Sequence, residues 1–204
     1  MRVAFLTHYS SLYGANRSLL DLIRGLRDHG VQSHVIAPAD GQMVKQLSVL
    51  DVPTIGLRVP WWVSKKKNFG TSLFHLGLGA RALTYLVYRI REWETDVLYS
   101  NSSFINVGLV ASKWLGVPHV WHLREFIDLD WGMEPDWGWE LFREFASRSE
   151  ELITVSDAVR NHLLRSEDAE RAHVIHSGVA STAEFRRLRE EAQRRESKAD
   201  AFTF

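Results

Sequence analysis

The sequence predicts an α/β fold, a doubly wound parallel sheet with helices on both faces. Three observations carry this expectation. Strand-length apolar runs alternate with helix-length amphipathic stretches along most of the 204 residues, the order that builds crossover-connected parallel sheets. The strand runs are nearly continuously apolar, as strands buried on both faces must be. Seven such runs are complete by Val179, which fits one doubly wound domain rather than two small ones.

The elements follow in order. Residues 2–7 form the first strand-length run. Leu19, Leu20, Ile23 and Leu26 then recur at helical spacing, and His29-Gly30 reads as the helix end. Residues 32–38 read as a strand, "QMVKQLSVL" as a short helix and "VPTIGL" as a strand. The stretch 71–94 is a long, mostly apolar helix in spite of two glycines. Residues 95–101 are a strand, "FINVGLVASKWLG" a helix closed by Gly116, and 117–123 a strand. "WELFREFASRSE" is helical, 151–156 a strand, "SDAVRNHLL" a helix capped by Ser156, and 172–179 the last strand.

Composition narrows the function. Lys+Arg and Asp+Glu number 25 each, so the chain lacks the basic footprint of nucleic-acid binding. The absence of cysteine removes disulfides, thiolate metal sites and cysteine nucleophiles together. The pairs His119/His122 and His173/His176 lie in strand-like runs, where i and i+3 face opposite ways; no metal site is expected. "MRVAFLTHYS" is too short for a signal-peptide core, and no segment reaches 18 uninterrupted apolar residues. The expected compartment is the cytoplasm.

Ligands of open parallel sheets bind beyond the carboxyl ends of the strands, so four loops were weighed. In "SSLYGANRS" a glycine opens a helix, and the amides of Gly14, Ala15 and Asn16 with the helix dipole favour an anion, with Arg17 beside them. It is neither a GxGxxG nor a GxxxxGK[ST] loop. In "YSNSSF", Asn101, Ser102 and Ser103 suit hydroxyl recognition or plain helix capping. In "HVWHLREF", His122, Arg124 and Glu125 converge at a strand end. In "TVSDAVRNHL" Ser156 caps a helix, and in "VIHSGV" Ser177-Gly178 forms the exit from the sheet. Each loop also reads as a simple turn or cap. The "GLG" at 77–79 is internal to a helix and is set aside.

Three stretches stand apart. "VPWWVSKKKNF" joins Trp61 and Trp62 to Lys65, Lys66 and Lys67, a composition suited to a membrane interface; a loop packed on the domain's own surface is the plainer reading. "WGMEPDWGW" is a Trp-rich loop. The segment 181–204 is densely charged, a solvated helix or a disordered tail, and its closing "AFTF" resembles a strand cut short at a domain boundary.

Taken together, "YGANRSLLDLIRGL", "HVWHLREF", "TVSDAVRNHL" and "VIHSGV" resemble, in this order, the N-terminal domain of the retaining GT-B glycosyltransferases of family 4 (group 1). Tyr13, Asn16, Ser177 and Ala180 depart from the family pattern, standing where Gly, Glu, Asn and Asp are usual. The resemblance implies a Rossmann-like acceptor-side domain at residues 1–180, followed by a linker, 181–204, towards a nucleotide-binding domain. It implies a nucleotide-sugar donor and a glycan, lipid-linked or small-molecule acceptor, with no cofactor or metal. The Gly14 backbone would neutralise diphosphate charge, His122 would contact the donor sugar near the reacting centre, and Arg124 and Glu125 would hold sugar or acceptor hydroxyls. Arg17 and Ser156 are further ligand candidates. The chain alone is expected to be inactive. A sugar-nucleotide epimerase half and a non-catalytic binding module are the alternatives.

Overall fold

The structure, a computed structural model, describes residues 1–65, 69–178 and 182–196. In chain order the first half comprises β1 (Arg2–Leu6), α1 (Gly14–Asp28), β2 (Gln32–Ala37), α2 (Gln42–Val49), β3 (Thr54–Gly56), β4 (Val63–Ser64), α3 (Phe69–Glu92), β5 (Val97–Ser100) and α4 (Val107–Leu115). There follow β6 (His119–Leu123), α5 (Ile127–Trp131), β7 (Glu134–Pro135), α6 (Trp139–Ser147), β8 (Glu151–Thr154), α7 (Asp157–Leu163), α8 (Ser166–Arg171), β9 (His173–Val174) and α9 (Thr182–Glu196). Seven strands form one parallel sheet in the order β3-β2-β1-β5-β6-β8-β9. This is the expected Rossmann-like, doubly wound α/β architecture.

Alternation along each strand divides the core between the two faces. Val3 and Phe5 pack with Leu19, Leu20 and Ile23 of α1. Ala4 and Leu6 face the other way, with Leu86 and Ile90 of α3 and Ala111 of α4. A third cluster gathers Trp121 and Leu123 of β6 with Phe142 of α6 and Leu163 of α7. Helix α4 approaches the sheet at Gly108, where a Cβ would stand 2.2 Å from Ser100 Oγ; only glycine fits that contact. Gly116 ends α4 in the left-handed conformation, as its position predicts.

The structure adds what periodicity did not show. β4 and β7 pair antiparallel, Val63 opposite Pro135 and Ser64 opposite Glu134, and tie the two Trp-rich loops together. The last strand is two residues long rather than spanning 172–179, because β9 lies at the sheet edge and pairs only with β8. Residues 182–196 are helical. The expected boundary at 180/181, the closing "AFTF", Lys66 and Lys67 lie outside the described residues. Among the described residues, no helix is long and apolar enough to cross a membrane.

Candidate functional site

The sheet reverses direction between β1 and β5: β2 and β3 extend to one side, and β6, β8 and β9 to the other. A crevice must open beyond the carboxyl ends of two strands that diverge in this way. It is a cleft of about 950 Å³. Its walls are His8, Tyr9 and Tyr13 after β1, the first turns of α1, Phe104 after β5, Arg124 and Glu125 after β6, and Ser177-Gly178 beyond β9.

Helix α1 opens the cleft's first wall. Its N-cap, Tyr13, supplies no side-chain hydrogen bond, and no acidic residue occupies the first turn. The Asn16 and Arg17 amides both donate to the Tyr13 carbonyl at 3.0 Å, so the open amides are those of Gly14 and Ala15, and Asn16 is removed from the expected set. Its side chain is wholly buried. It donates to the Tyr9 and Ser11 carbonyls at 2.9 and 2.8 Å and accepts from Thr7 Oγ1 at 3.0 Å. Asn16 is therefore a latch that closes loop 7–13 over the start of α1. A glutamate, the usual family residue, has no hydrogens to give those two carbonyls. Arg17 Nε donates to the Leu12 carbonyl, which holds the outer part of the same loop.

Arg124 lies at the cleft floor. Nε donates to Asn101 Oδ1 at 2.9 Å, Nη2 to Ser18 Oγ at 2.8 Å and Nη1 to Ser177 Oγ at 3.4 Å. All three partners are neutral. Burial holds its pKa below the usual arginine value, opposed by Tyr99, Glu125 and Tyr9; it remains a cation. Asn101 also donates to the Ala15 carbonyl at 3.3 Å, so one amide links Arg124 to the start of α1. Ser18 was missed in the sequence, although helical spacing from Gly14 places it on the same side.

Glu125 is a clamp. Its carboxylate accepts from Ser102 Oγ and the Ser103 amide, and its carbonyl accepts from Ser103 Oγ at 3.2 Å. Burial pushes this carboxyl above the usual range, against the opposing pull of the serine hydrogen bonds and Arg124. Ser102 is fully buried within this network. It shapes the loop after β5 rather than presenting a hydroxyl to a ligand.

His122 sits deeper than expected. A strand rises about 3.3 Å per residue, so two positions before Arg124 the side chain faces a smaller groove of about 350 Å³ instead of the main cleft. Its Nδ1 lies 2.5 Å from the Tyr99 hydroxyl and its Nε2 is buried without a partner. Burial, reinforced by Arg124, lowers its pKa to about 3. The ring is neutral, and His122 does not line the main cleft as expected, whereas Arg124 does. Ser156 caps α7 as predicted, accepting from the Val159 amide at 3.2 Å.

The aromatic wall was not foreseen. His8 stands among Tyr9, Trp61 and Phe104, with ring centroids 4.7–5.5 Å away; burial lowers its pKa to about 4. Trp61 lines this cleft. Trp62, expected at a membrane surface, is buried instead: its indole donates to the Ser103 carbonyl at 3.2 Å and packs on Trp121 and Phe142. Two adjacent Trp side chains on extended backbone point to opposite sides, which explains the split. No group of three or more His, Asp or Glu able to hold a metal ion occurs among the described residues.

A doubly wound sheet with a crevice at its switch point defines a Rossmann-like α/β domain. The pattern of Glycosyltransferase Family 4 matches residues 13–182, and the chain belongs to that family. Its fold is similar to solved GT-B structures. One is Anabaena Alr3699/HepE, solved with UDP and glucose: TM-score 0.60, 23% identity, covering 94% of this chain and 50% of that one. A Rickettsia africae glycosyltransferase gives TM-score 0.60 at 14% identity, covering 94% and 49%. The UDP-GlcNAc 2-epimerase of Methanocaldococcus jannaschii gives 0.56 at 15%, covering 86% and 45%. The chain thus spans about half the length of the solved structures it matches. No curated protein sequence matches it.

Proposed function

We propose that the chain forms the acceptor-side half of a retaining glycosyltransferase and takes the diphosphate of a nucleotide-sugar donor in the cleft at the β1/β5 switch point. The observation that carries this reading is Arg124, a guanidinium with only neutral hydrogen-bond partners, set beside the open start of α1. Charge that builds on the departing diphosphate would meet fixed donors there: the Gly14 and Ala15 amides, the dipole of α1 and the guanidinium. These groups do their work without reorganising, and they perform the neutralisation that a cation could otherwise supply. Asn16, Asn101 and Glu125 position them. Neighbours of the same fold, among them the Anabaena protein solved with UDP and glucose, support the donor class. The aromatic wall of Tyr9, Tyr13, Trp61 and Phe104 suits the apolar face of a sugar ring or a lipid-linked acceptor.

The test is UDP titrated into the 204-residue chain and followed by backbone amide NMR. Shifts centred on Gly14 and Ala15 are expected, together with a loss of affinity of about 10- to 100-fold in Arg124→Met, the worth of charged hydrogen bonds. No shift at millimolar UDP, or shifts elsewhere on the surface, overturns the site. Supplied with UDP- and GDP-sugars, the chain alone should turn over neither. Robust transfer to an added acceptor would overturn the half-enzyme reading, and conversion of the donor without acceptor would favour the epimerase.

A further inference from the structure

The outer face of α3 is built unlike the other helices. Its inward stripe, Ser72, Ala82, Leu86 and Ile90, is buried, but Phe69, Leu73, Phe74, Leu76 and Leu78 are largely exposed, Phe69 at 74% and Phe74 at 63%. From Phe69 to Ala80 the helix carries no Asp, Glu, Lys or Arg on any side. A helix apolar all round is a buried one, yet only one side of this half is covered. What anchors it is polar: His75 Nδ1 lies 2.6 Å from Asp136 Oδ2, and Ser72 Oγ donates to the Asp136 carbonyl at 3.5 Å. Leu76 also borders a small cavity shared with Trp61 and Trp137, both partly exposed, so the apolar face runs on to the rim of the main cleft.

Charge is segregated along the same stretch of sequence. Between Asp51 and Glu92 there is no acidic residue, while Arg58, Lys65, Lys66, Lys67, Arg81, Arg89 and Arg91 are basic, in a chain of zero net charge. Arg81 and the exposed Tyr85 and Tyr88 follow the apolar half directly. The acidic groups brought in by other elements are Asp136, which faces His75, and Asp128 and Glu134, which border the same shallow recess as Lys65. Apolar side chains bounded by tyrosines and cations are the composition that seats a helix in the headgroup layer.

We infer that the exposed face of α3 docks on an anionic lipid surface, with Phe69, Leu73, Phe74, Leu76 and Leu78 inserted among the acyl-chain ends and Arg81 and Lys65 against the headgroups. The expected membrane contact therefore moves from the Trp61–Trp62 pair to α3. The docked face leaves the rim of the cleft, at Trp61, close to the bilayer, where a lipid-linked substrate would enter. Docking itself does not depend on what the cleft binds.

Vesicle flotation tests it with the 204-residue chain and two compositions, pure phosphatidylcholine and phosphatidylcholine with 30% phosphatidylglycerol. Binding to the anionic vesicles that weakens with salt is expected. Each cation removed near such a surface should cost about fivefold in partitioning, so Arg81→Glu weakens binding by more than that. Leu73→Ser with Phe74→Ser should abolish it, and circular dichroism should show both variants folded, since the changed residues are exposed. Absent binding, equal binding to neutral vesicles, or variants that bind as well as the parent overturns the proposal. So does a chain that sediments as a dimer, becomes monomeric on Leu73→Ser/Phe74→Ser and ignores vesicles, because a second copy then covers the face. UDP binding in the cleft is read separately, so neither failure is mistaken for the other.

Discussion

Two helices, α1 and α7, start at the same end of the sheet and differ in what their own side chains set against that start. At α7 the Ser156 hydroxyl accepts from the Val159 amide, and Asp157 sets a carboxylate in the first turn. That start holds a side-chain cap and a carboxylate of its own against the helix dipole. At α1 the cap residue is Tyr13 without a side-chain bond, the first turn has no acid, and the Arg124 cation stands across the cleft, bonded to Ser18. Both sequences read as helix starts with their first two amides open, but only α7 carries a side-chain cap and an acid of its own. Anion affinity thus depends less on a helix N-terminus being present than on whether the chain has already capped it.

The comparison is broken most severely by removing what holds α1's start in place. Asn16→Leu fills the same buried space but takes the side-chain donor from the Ser11 carbonyl and leaves Thr7 Oγ1 and the Tyr9 carbonyl only their 3.4 Å contact with each other. Unsatisfied buried polar groups cost about 1–3 kcal/mol each, so a loss of about 3 kcal/mol in urea unfolding is expected, with UDP affinity falling as well. A loss below about 0.5 kcal/mol would show that loop 7–13 needs no latch.

Why Asn16 turns into its own loop while Arg124 lines the cleft follows from what a sequence can encode. The fold was legible because buried parallel strands need unbroken apolar runs, and because Gly30 and Gly116 end their helices with positive φ. β4 and β7 were not legible: two residues have no period. Strand-end position places Arg124 and Glu125 in the lining of the cleft. His122 shares Arg124's side of the strand, and its error was one of depth. A polar residue in a helix's first turn, such as Asn16, satisfies either a ligand or its own preceding loop. The sequence is the same in both cases, and only the path of the loop decides between them.

Ser156→Ala is the smaller change and sharpens the contrast from the other side. It should cost about 1 kcal/mol of stability, the usual worth of a cap, read as a shift of about 2–4 °C in thermal midpoint for a chain of this size. UDP affinity should stay within twofold of the parent. A tenfold loss of affinity would make Ser156 a ligand contact and remove the distinction between the two helices.

The smallest expected change in stability is the most diagnostic one. Gly14 has no positive φ, and a Cβ built on it meets nothing within 4 Å, so the fold has no need of glycine there, in contrast to Gly108. At the first position of α1, Ala should raise stability by about 0.4–1 kcal/mol, because it restricts the unfolded chain and favours the helix. If glycine is kept for the close approach of a diphosphate to the Gly14 and Ala15 amides, the same methyl group should weaken UDP binding severalfold. Stability and affinity then move in opposite directions in a single variant. If both rise together, the open start of α1 is an ordinary helix end and the anion belongs to Arg124 alone.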